Sequence, residues 1–308
     1  MNVFISGGAG FIGSHLTDAL LTDGDIVVCA DNLVLGSKAM VSHHFDNKNF
    51  AFYEIDICDK LKLDDIFAKH HFDRVYHLAA NSDIQKGGAD PSIDVKDTLE
   101  TTLAILQVMK KYNVKELLFS STSAVYGEKD TLLKEDAGDL QPVSYYGGAK
   151  LASEAMISAF AAMNDMKVNI IRFPNVVGSR LTHGAIYDFV QKLKRDPREL
   201  EILGDGHQEK PYLYVLDLIE AMLTREYLPG VSIFNAGVET ATTVRRIADI
   251  VCEEMGLAHV NYRFTGGRLG WKGDVAKFQY DLTKIHETGW KARHTSDEAI
   301  RLAARSAL

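Results

Sequence analysis

The chain has 308 residues, of which 46% are hydrophobic and 25% are charged, and its formal net charge is −8 at pH 7. This composition is typical of a globular protein and excludes a disordered or fibrous chain. The negative charge disfavours nucleic acid and anionic membranes as partners, so an anionic ligand must be bound by local cations. We expect no signal peptide, because the first apolar run, "VFIS", is short, and no segment has the apolar length of a membrane span.

The cysteines favour a reducing, cytoplasmic location. Cys29, Cys58 and Cys252 show neither CxxC spacing nor a Cys/His pattern that suggests zinc. Cys29 lies in an apolar, strand-like run and is interpreted as a buried free thiol, which fits an intracellular protein. We therefore predict no metal site.

The first half of the chain alternates short apolar runs with stretches of helical period. The runs rich in Val, Ile and Phe predict strands at 2–7, 25–31, 50–56, 74–80, 116–121 and 168–173. The stretches between them predict helices at 12–22, 61–70, 95–112 and 146–163. This alternation predicts an α/β fold with a doubly wound parallel sheet of the Rossmann type and helices on both faces.

After about residue 175 the pattern is less regular. Helices are predicted at 185–195, from 217, at 242–255 and at 297–306, while 211–215 and 231–237 could return to the main sheet as strands. We therefore expect a dinucleotide-binding domain over 1–175, joined again by 211–238. Residues 176–210 and 239–308 would form a smaller, C-terminal substrate-binding lobe. Ligands should bind in the crevice at the carboxyl ends of the strands.

The first predicted strand runs into a glycine-rich loop, "GGAGFIG", with Gly7, Gly10 and Gly13 at a spacing of three. Glycines here permit a tight turn, a close approach of the backbone to a pyrophosphate and a closely packed helix. Phe11 and Ile12 complete the start of that helix, whose N–H groups and dipole favour an anion. The loop is a weak signal alone, but its strand–loop–helix context predicts a dinucleotide site.

Two aspartates at strand ends are candidates for the adenosine side of the cofactor. Asp31, followed by Asn32, ends the second predicted strand and would accept hydrogen bonds from the ribose hydroxyls. A carboxylate there would repel a 2′-phosphate, so NAD is favoured over NADP. Asp56, followed by Ile57, either contacts the adenine or caps a helix or turn, and the sequence leaves both interpretations open.

The stretch "SYYGGAK" places Tyr146 four residues before Lys150, on the same face of a helix, whereas Tyr145 points elsewhere. A tyrosine is a poor base because its ordinary pKa is about 10. A neighbouring ammonium and a nicotinamide cation would favour the phenolate and lower that pKa. A tyrosine and a lysine at this spacing, with no other motif in the chain, usually form a surface contact. In a chain that also has a nucleotide-binding loop, the same two residues predict a catalytic base.

With these motifs in order along most of its length, the chain resembles the extended short-chain dehydrogenase/reductases, and within them the NAD-dependent sugar-nucleotide epimerase/dehydratase family. The resemblance rests on "GGAGFIG", "DNL", "HLAA", "SSTSAVYG", "YGGAK", "RFPNVVGSR", "GDGHQEKPYLYV" and "KGDV". It implies Tyr146 as the base and Lys150 as the residue that lowers its pKa and binds the nicotinamide ribose. It also implies that Thr122 holds the sugar O4 against Tyr146.

The same resemblance gives roles to several strand-end residues. Ser120 would line the nicotinamide pocket, and Leu78, Ala79 and Ala80 would leave room for the cofactor. His77 is expected to be a buried histidine at the end of its strand.

On the substrate side the resemblance implies a nucleoside-diphosphate sugar. Asn175 matches a position that contacts the diphosphate, and Lys210 stands where the family usually has an arginine. Arg268, Lys272 and Asp274 are further candidates, although the first two could equally be solvated surface charges. A threonine, Thr98, also replaces an asparagine common in the family.

Three functions stay open: a 4-epimerase, a related sugar-nucleotide enzyme such as a dehydratase, decarboxylase or ketoreductase, and a non-catalytic NAD- or nucleotide-sugar-binding protein. The resemblance places carboxylates of dehydratases directly after the catalytic threonine, where this chain has Ser123 and Ala124. We therefore favour a UDP-hexose 4-epimerase with NAD as its cofactor. The broad apolar faces of helices 95–112 and 146–163 further suggest a homodimer.

Overall fold

A computed structural model describes residues 1–224, 226–270 and 273–308. The chain forms two compact units. One consists of Met1–Val125, Ser144–Arg172 and Met222–Phe234, and the other of Tyr126–Val143, Phe173–Ala221 and Asn235–Leu308.

The elements follow the predicted alternation closely. The strands are β1 (Asn2–Ser6), β2 (Ile26–Asp31), β3 (Phe50–Glu54), β4 (Arg74–His77), β5 (Glu116–Thr122), β6 (Lys167–Phe173), β7 (Asn175–Val177), β8 (Glu199–Ile202), β9 (Glu209–Lys210), β10 (Tyr212–Tyr214), β11 (Gly230–Asn235), β12 (Thr242–Thr243) and β13 (Asn261–Phe264). The α-helices are α1 (Phe11–Thr22), α2 (Lys60–Lys69), α3 (Ile84–Ala89), α4 (Pro91–Asp94), α5 (Thr101–Lys111), α6 (Tyr145–Asn164), α7 (Ala185–Arg195), α8 (Val215–Leu223), α9 (Val244–Glu254), α10 (Thr283–His286) and α11 (Ser296–Ala307).

The first unit is built on a seven-stranded sheet in the order β11-β6-β5-β4-β1-β2-β3. Strand β1 pairs in parallel with β2 on one side and with β4 on the other, so that Ser6 lies opposite both Ala30 and His77. The chain order therefore reverses at β1, which is the switch point at which doubly wound sheets bind ligands. This is the predicted fold class.

The core of the first unit explains why the strands read as continuous apolar runs. Val3, Phe4 and Ile5 are completely buried, as expected for a sheet with both faces covered by helices. On one face, Phe4 contacts Phe67 of α2 with ring centroids 5.0 Å apart.

The predicted helix 95–112 divides into two parts. Residues Val95–Glu100 form a π-helix, and α5 continues from Thr101. The carbonyl oxygen of Thr98 accepts hydrogen bonds from the hydroxyls of Thr101 and Thr102, at 2.9 and 2.7 Å. These side-chain donors compete with the regular backbone pattern, which accounts for the irregular turn.

The described residues of the second unit form three small two-stranded sheets, in which β10 pairs with β7, β12 with β9 and β13 with β8. Its apolar core is formed largely by α7, α9 and α11. Of the two segments offered by the sequence as further strands of the main sheet, β11 joins it beside β6, whereas β10 pairs with β7. Among the described residues, no helix has the length and apolar character needed to cross a membrane.

Candidate active site

The glycine loop after β1 is shaped by close backbone contacts. Gly7 has a φ of +76°, and a Cβ atom at this residue would lie 2.8 Å from the backbone nitrogen of Ala79. A Cβ on Gly13 would lie 2.1 Å from the carbonyl oxygen of Gly7. Helix α1 starts after Gly10 without a side-chain cap, so its first N–H groups are left for a ligand. The loop thus fits the pyrophosphate of a dinucleotide.

Asp31 at the end of β2 holds the same loop. Its carboxylate accepts hydrogen bonds from the N–H groups of Ala9 (3.0 Å) and Leu33 (2.8 Å). Burial raises the pKa of this carboxyl group, and those two hydrogen bonds partly oppose the rise. Asn32 is exposed, and its side chain accepts from the N–H of Val34. Asp31 is therefore part of the loop's internal structure. That it also binds a ribose stays a prediction.

Asp56 is engaged locally. Its Oδ1 accepts from the N–H of Cys58 at 2.9 Å, and its Oδ2 lies 3.4 Å from Nζ of Lys96. This geometry fits the interpretation of Asp56 as a turn residue. Each carboxylate oxygen has one partner in these contacts and can accept a further hydrogen bond. The side chain of Ile57 is buried in the core, at 4% exposure, so a ligand at this position would meet its backbone.

His77 fixes the turn at the end of β4. Its Nδ1 lies 2.6 Å from Oγ of Ser6 and its Nε2 lies 3.0 Å from Oγ1 of Thr102. Complete burial lowers the pKa of the imidazole to about 3 and keeps it neutral. Oγ of Ser6 also accepts from the N–H of Ala79, and Leu78, Ala79 and Ala80 are half-buried. His77 thus serves as a structural residue, as the sequence led us to expect.

Tyr146 and Thr122 are brought together at the end of β5. Helix α6 is capped by Ser144, whose hydroxyl accepts from the N–H of Gly147 at 3.1 Å. This start exposes 57% of Tyr145 but turns Tyr146 inward, where the side chain of Thr122 is close enough to lower the pKa of the Tyr146 hydroxyl. Of the two tyrosines, it is Tyr146 that contacts the candidate catalytic threonine.

The pKa of Tyr146 is raised to about 12, first by burial and then by the charge of Asp94, against the opposing hydrogen bond from Thr122. The expected direction was downward, under the influence of Lys150. Burial dominates instead, because it disfavours the charged phenolate, and the groups that act after it are Thr122 and Asp94 rather than Lys150. Positive charge close to the phenol is therefore needed before Tyr146 can act as a base near neutral pH.

Lys150 is almost completely buried, at 3% exposure. Its Nζ donates to the carbonyl oxygen of Ser120 at 2.7 Å and lies 4.7 Å from the ring centroid of Phe119. Burial lowers the pKa of Lys150 to about 7, and the charge of Glu154 opposes this. The hydroxyl of Ser120 donates to the carbonyl of His77 at 3.2 Å, so Ser120 supports Lys150 through its backbone.

A buried ion pair one helical turn beyond Lys150 was missed by the sequence analysis. Glu154 accepts two hydrogen bonds from Arg172, at 3.0 and 2.6 Å, and a third from the hydroxyl of Ser121. Both charged side chains are at most 5% exposed. The spacing of Tyr146, Lys150 and Glu154, four residues apart on one helix face, is the signal that could have revealed Glu154.

Asp94 is a second missed residue. It is 1% exposed, and its Oδ1 accepts from Nδ2 of Asn81 at 2.8 Å. Its Oδ2 has no hydrogen-bond partner among the described residues. No spacing pattern in the sequence marks Asp94, since its effect on Tyr146 depends on the tertiary fold.

In the second unit, the candidate substrate residues fall into two groups. Lys210 forms a buried ion pair with Asp274. Asn175 lies opposite Tyr212 in the β7–β10 register and hydrogen-bonds its hydroxyl, while burial raises the pKa of Tyr212 to about 12. Asp274 also raises that pKa. Lys210, Asp274, Tyr212 and Asn175 therefore form one cluster, in which Tyr212 was missed from the sequence.

Arg268 behaves differently. It is 65% exposed and pairs with Glu128, which is also exposed, at 2.7 Å. Lys272 and its neighbour Trp271 lie outside the described residues. The structure thus assigns Arg268 to a separate surface pair and leaves the prediction for Lys272 as it was.

Comparison with known proteins identifies the family. The model for the NAD dependent epimerase/dehydratase family matches residues 3–236. The chain belongs to this family, as the sequence motifs indicated, and NAD is confirmed as the cofactor of the family.

Relatives within the family carry out more than one reaction. The chain is 30% identical to UDP-glucuronic acid decarboxylase 2 of Arabidopsis thaliana, over 99% of this chain and 68% of the relative. It is 32% identical to the UDP-glucose 4-epimerase of Thermotoga maritima, solved with UDP-glucose, with a TM-score of 0.89 over 99% of this chain and 98% of that one. The UDP-glucose 4-epimerase of Thermus thermophilus, solved with NAD, is 30% identical, with a TM-score of 0.89 over 100% and 99% of the two chains.

Proposed function

We propose that this protein epimerises the C4 carbon of a nucleoside-diphosphate sugar, with a UDP-hexose as the leading substrate class. The observation that carries the proposal is the closeness of the side chains of Tyr146 and Thr122 at the end of β5, where Thr122 lowers the pKa of the Tyr146 hydroxyl. The glycine loop follows β1 and the turn at Ala79 follows β4, so both lie at the same edge of the sheet as Thr122. The loop and the turn are in close contact at Gly7 and Ala79. A hydroxyl pair next to a dinucleotide loop suits the oxidation and re-reduction of one carbinol.

Each residue of the site has a step that it can perform. The hydroxyl of Thr122 hydrogen-bonds the sugar O4 and holds it against Tyr146. Tyr146, as phenolate, accepts the O4 proton and returns it from the same oxygen when the carbinol is re-formed. Lys150, in its ammonium form, stabilises that phenolate. NAD, when bound, supplies the hydride acceptor and additional positive charge, and Gly7, Gly13 and Asp31 would hold it.

Decarboxylation and dehydration are weaker proposals for this chain. Eliminating water needs an acid and a base at neighbouring carbons. The residues directly after Thr122 are Ser123 and Ala124, which offer no carboxylate. The carboxylate that influences Tyr146, Asp94, is 1% exposed and is bonded to Asn81. Its position supports a structural role better than one in elimination.

For the second unit we propose the binding of the nucleoside diphosphate. Asn175, Tyr212 and Lys210 supply an amide, a phenol and an ammonium in one cluster. Lys210 is already neutralised by Asp274, so it would bind a phosphate only if that ion pair loosened. Arg268 is a solvent-exposed cation with a weaker pair, and it needs less rearrangement to meet a phosphate.

We also propose a homodimer through the outer faces of helix α6 and the segment 95–111. Val95, Met156 and Met163 are large apolar side chains with exposures of 47%, 36% and 82%. Leu106 and Met109, two apolar residues of the predicted helix 95–112, are completely buried in the core and cannot contribute. Sedimentation of the purified protein at micromolar concentration as a monomer would overturn this proposal.

The test of the function is a panel of UDP-, CDP-, GDP- and dTDP-sugars, including UDP-glucuronic acid, incubated with the purified protein without added cofactor. NMR of the products identifies the change at each carbon. A C4 epimer formed in redox balance supports the proposal. Release of carbon dioxide, a 4-keto-6-deoxy sugar, or no turnover of any sugar would each contradict it.

A further inference from the structure

A cluster of metal-binding side chains lies away from the candidate active site, where the segment after β2 meets α1. His43 and His44 end the short 3₁₀ turn Ser42–His44. Their Nε2 atoms lie 2.9 and 2.7 Å from the same oxygen, Oδ1 of Asp18 in α1. It is the one group of three possible metal ligands found in the described parts of the chain. We propose that Asp18, His43 and His44 bind a divalent transition-metal ion, with zinc fitting best.

The geometry is close to that of three ligands on one side of a zinc ion. The ligand atoms lie within 4.8 Å of one another, and the two imidazole rings are 4.0 Å apart with a tilt of 44°. Zinc bonds to nitrogen and oxygen of about 2.0–2.2 Å place tetrahedral ligands about 3.3–3.6 Å apart. The two N···O distances of 2.9 and 2.7 Å therefore need to open by less than about 1 Å.

The chemistry of the three groups also fits. Two imidazoles and one carboxylate are ligands that zinc prefers, and three protein ligands leave a position for water. For both imidazoles to donate to the carboxylate of Asp18, each Nε2 must carry a proton. Metal binding would move that proton to Nδ1 and turn each Nε2 lone pair towards the ion.

Exposure permits an ion to enter. The side chains of His43, Asp18 and His44 are 46%, 31% and 16% exposed, so the open position faces solvent. The ion would tie the segment 42–44 to α1. It would therefore brace the loop that follows Asp31, without taking part in the chemistry at Tyr146.

The sequence provides a matched control. The tetrapeptide HHFD occurs twice, at 43–46 and at 70–73. In the second copy, Nε2 of His70 lies 3.0 Å from the hydroxyl of Tyr53. Among the described residues, His70 and His71 belong to no group of three possible metal ligands. A variant with His70→Ala and His71→Ala therefore removes an adjacent histidine pair without touching the proposed site.

The test is calorimetric titration of tag-free, chelator-treated protein with zinc chloride, repeated with cobalt to record its absorption spectrum. We expect one ion per chain. Asp18→Asn and His44→Ala should each weaken zinc affinity by at least about tenfold. Even residues that only hydrogen-bond a metal ligand contribute about 10–100-fold to metal affinity. The His70/His71 variant should bind as the wild type does. Zinc should raise the Tm of the wild type but not that of His44→Ala.

Equal affinity of the wild type and the Asp18 and His44 variants would overturn the proposal. So would loss of binding in the His70/His71 variant, or no binding of either metal to the wild type. A circular dichroism spectrum of each variant, recorded without metal, separates loss of a ligand from loss of the fold.

Discussion

The glycine loop and the two candidate cations of the second unit, Lys210 and Arg268, differ in how they present charge to a ligand. The loop offers backbone N–H groups at the uncapped start of α1, held by glycines whose places no larger residue can take. In the second unit, Lys210 is already paired with Asp274 in a buried site, and Arg268 with Glu128 at the surface. A backbone site is ready for an anion, whereas a paired cation must first exchange its partner.

This difference explains which parts of the site could be predicted from the sequence. Glycine spacing determines backbone shape directly, and the four-residue spacing of Tyr146 and Lys150 determines a shared helix face. Ion pairs between residues such as Lys210 and Asp274, 64 positions apart, depend on the tertiary fold. The same holds for Asp94 and for Arg172, which could not be found from local patterns.

The fold was predictable for a similar reason. Buried parallel strands require apolar runs, and these placed the first six strands to within a few residues. The β10 segment is also an apolar run, yet it pairs with β7, because a short run carries no information about its partner strand. The π-helix before α5 depends on hydroxyl contacts that periodicity does not detect.

The largest expected effect is at the tyrosine that the fold turns inward. Tyr146→Phe should lower kcat by about 10²–10⁴-fold, the usual contribution of a positioned acid–base group. Tyr145→Phe should change kcat little, because that side chain is exposed. Turnover of a nucleotide sugar and retention of bound NAD are measured for both variants. An inactive Tyr145 variant with an active Tyr146 variant would contradict the assignment of the base.

The next effect separates the buried ion pair from the exposed one. Lys210→Met should cost about 3–5 kcal/mol in the free energy of unfolding, because Asp274 is left as an unpaired buried charge. Arg268→Met should cost less than about 1 kcal/mol. Urea denaturation measures both, with Lys210→Arg as the control that keeps the pair. Equal losses of unfolding free energy in Lys210→Met and Arg268→Met would contradict the distinction between a buried and an exposed ion pair.

A smaller effect is expected on the pH dependence of turnover. Glu154 raises the pKa of Lys150, which burial lowers to about 7. Glu154→Gln should therefore lower that pKa further, so that the ammonium form is lost at lower pH. Since the phenolate of Tyr146 relies on this ammonium, the alkaline limb of the kcat profile should move to lower pH. At a fixed pH on that limb, kcat should fall by about tenfold for each unit by which the pKa of Lys150 is lowered.

The control for this prediction is Ser121→Ala, which removes one hydrogen bond to Glu154 but no charge. Its alkaline limb should stay near that of the wild type. If the limb of Glu154→Gln also stays in place, Glu154 does not act through Lys150. The unfolding transition of each variant is recorded as well, because Arg172 loses its charged partner in Glu154→Gln.

The smallest effect concerns cofactor choice. The wild type should bind NAD at least about tenfold more tightly than NADP, because the carboxylate of Asp31 faces the position of a 2′-phosphate. Asp31→Asn should narrow this ratio while keeping an oxygen that accepts from the loop N–H groups. Asp56→Asn is the matched control and should leave the ratio unchanged. Equal affinities in the wild type would place Asp31 away from the ribose.

The central claim is that one carbinol is oxidised and reduced again within one site. The most direct test uses the nucleotide sugar that the panel identifies, deuterated at C4, with the products followed by NMR and mass spectrometry. We predict that the C4 epimer keeps its deuterium and that solvent hydrogen does not replace it. Loss of the label to solvent, or a product altered at C5 or C6, would contradict the account.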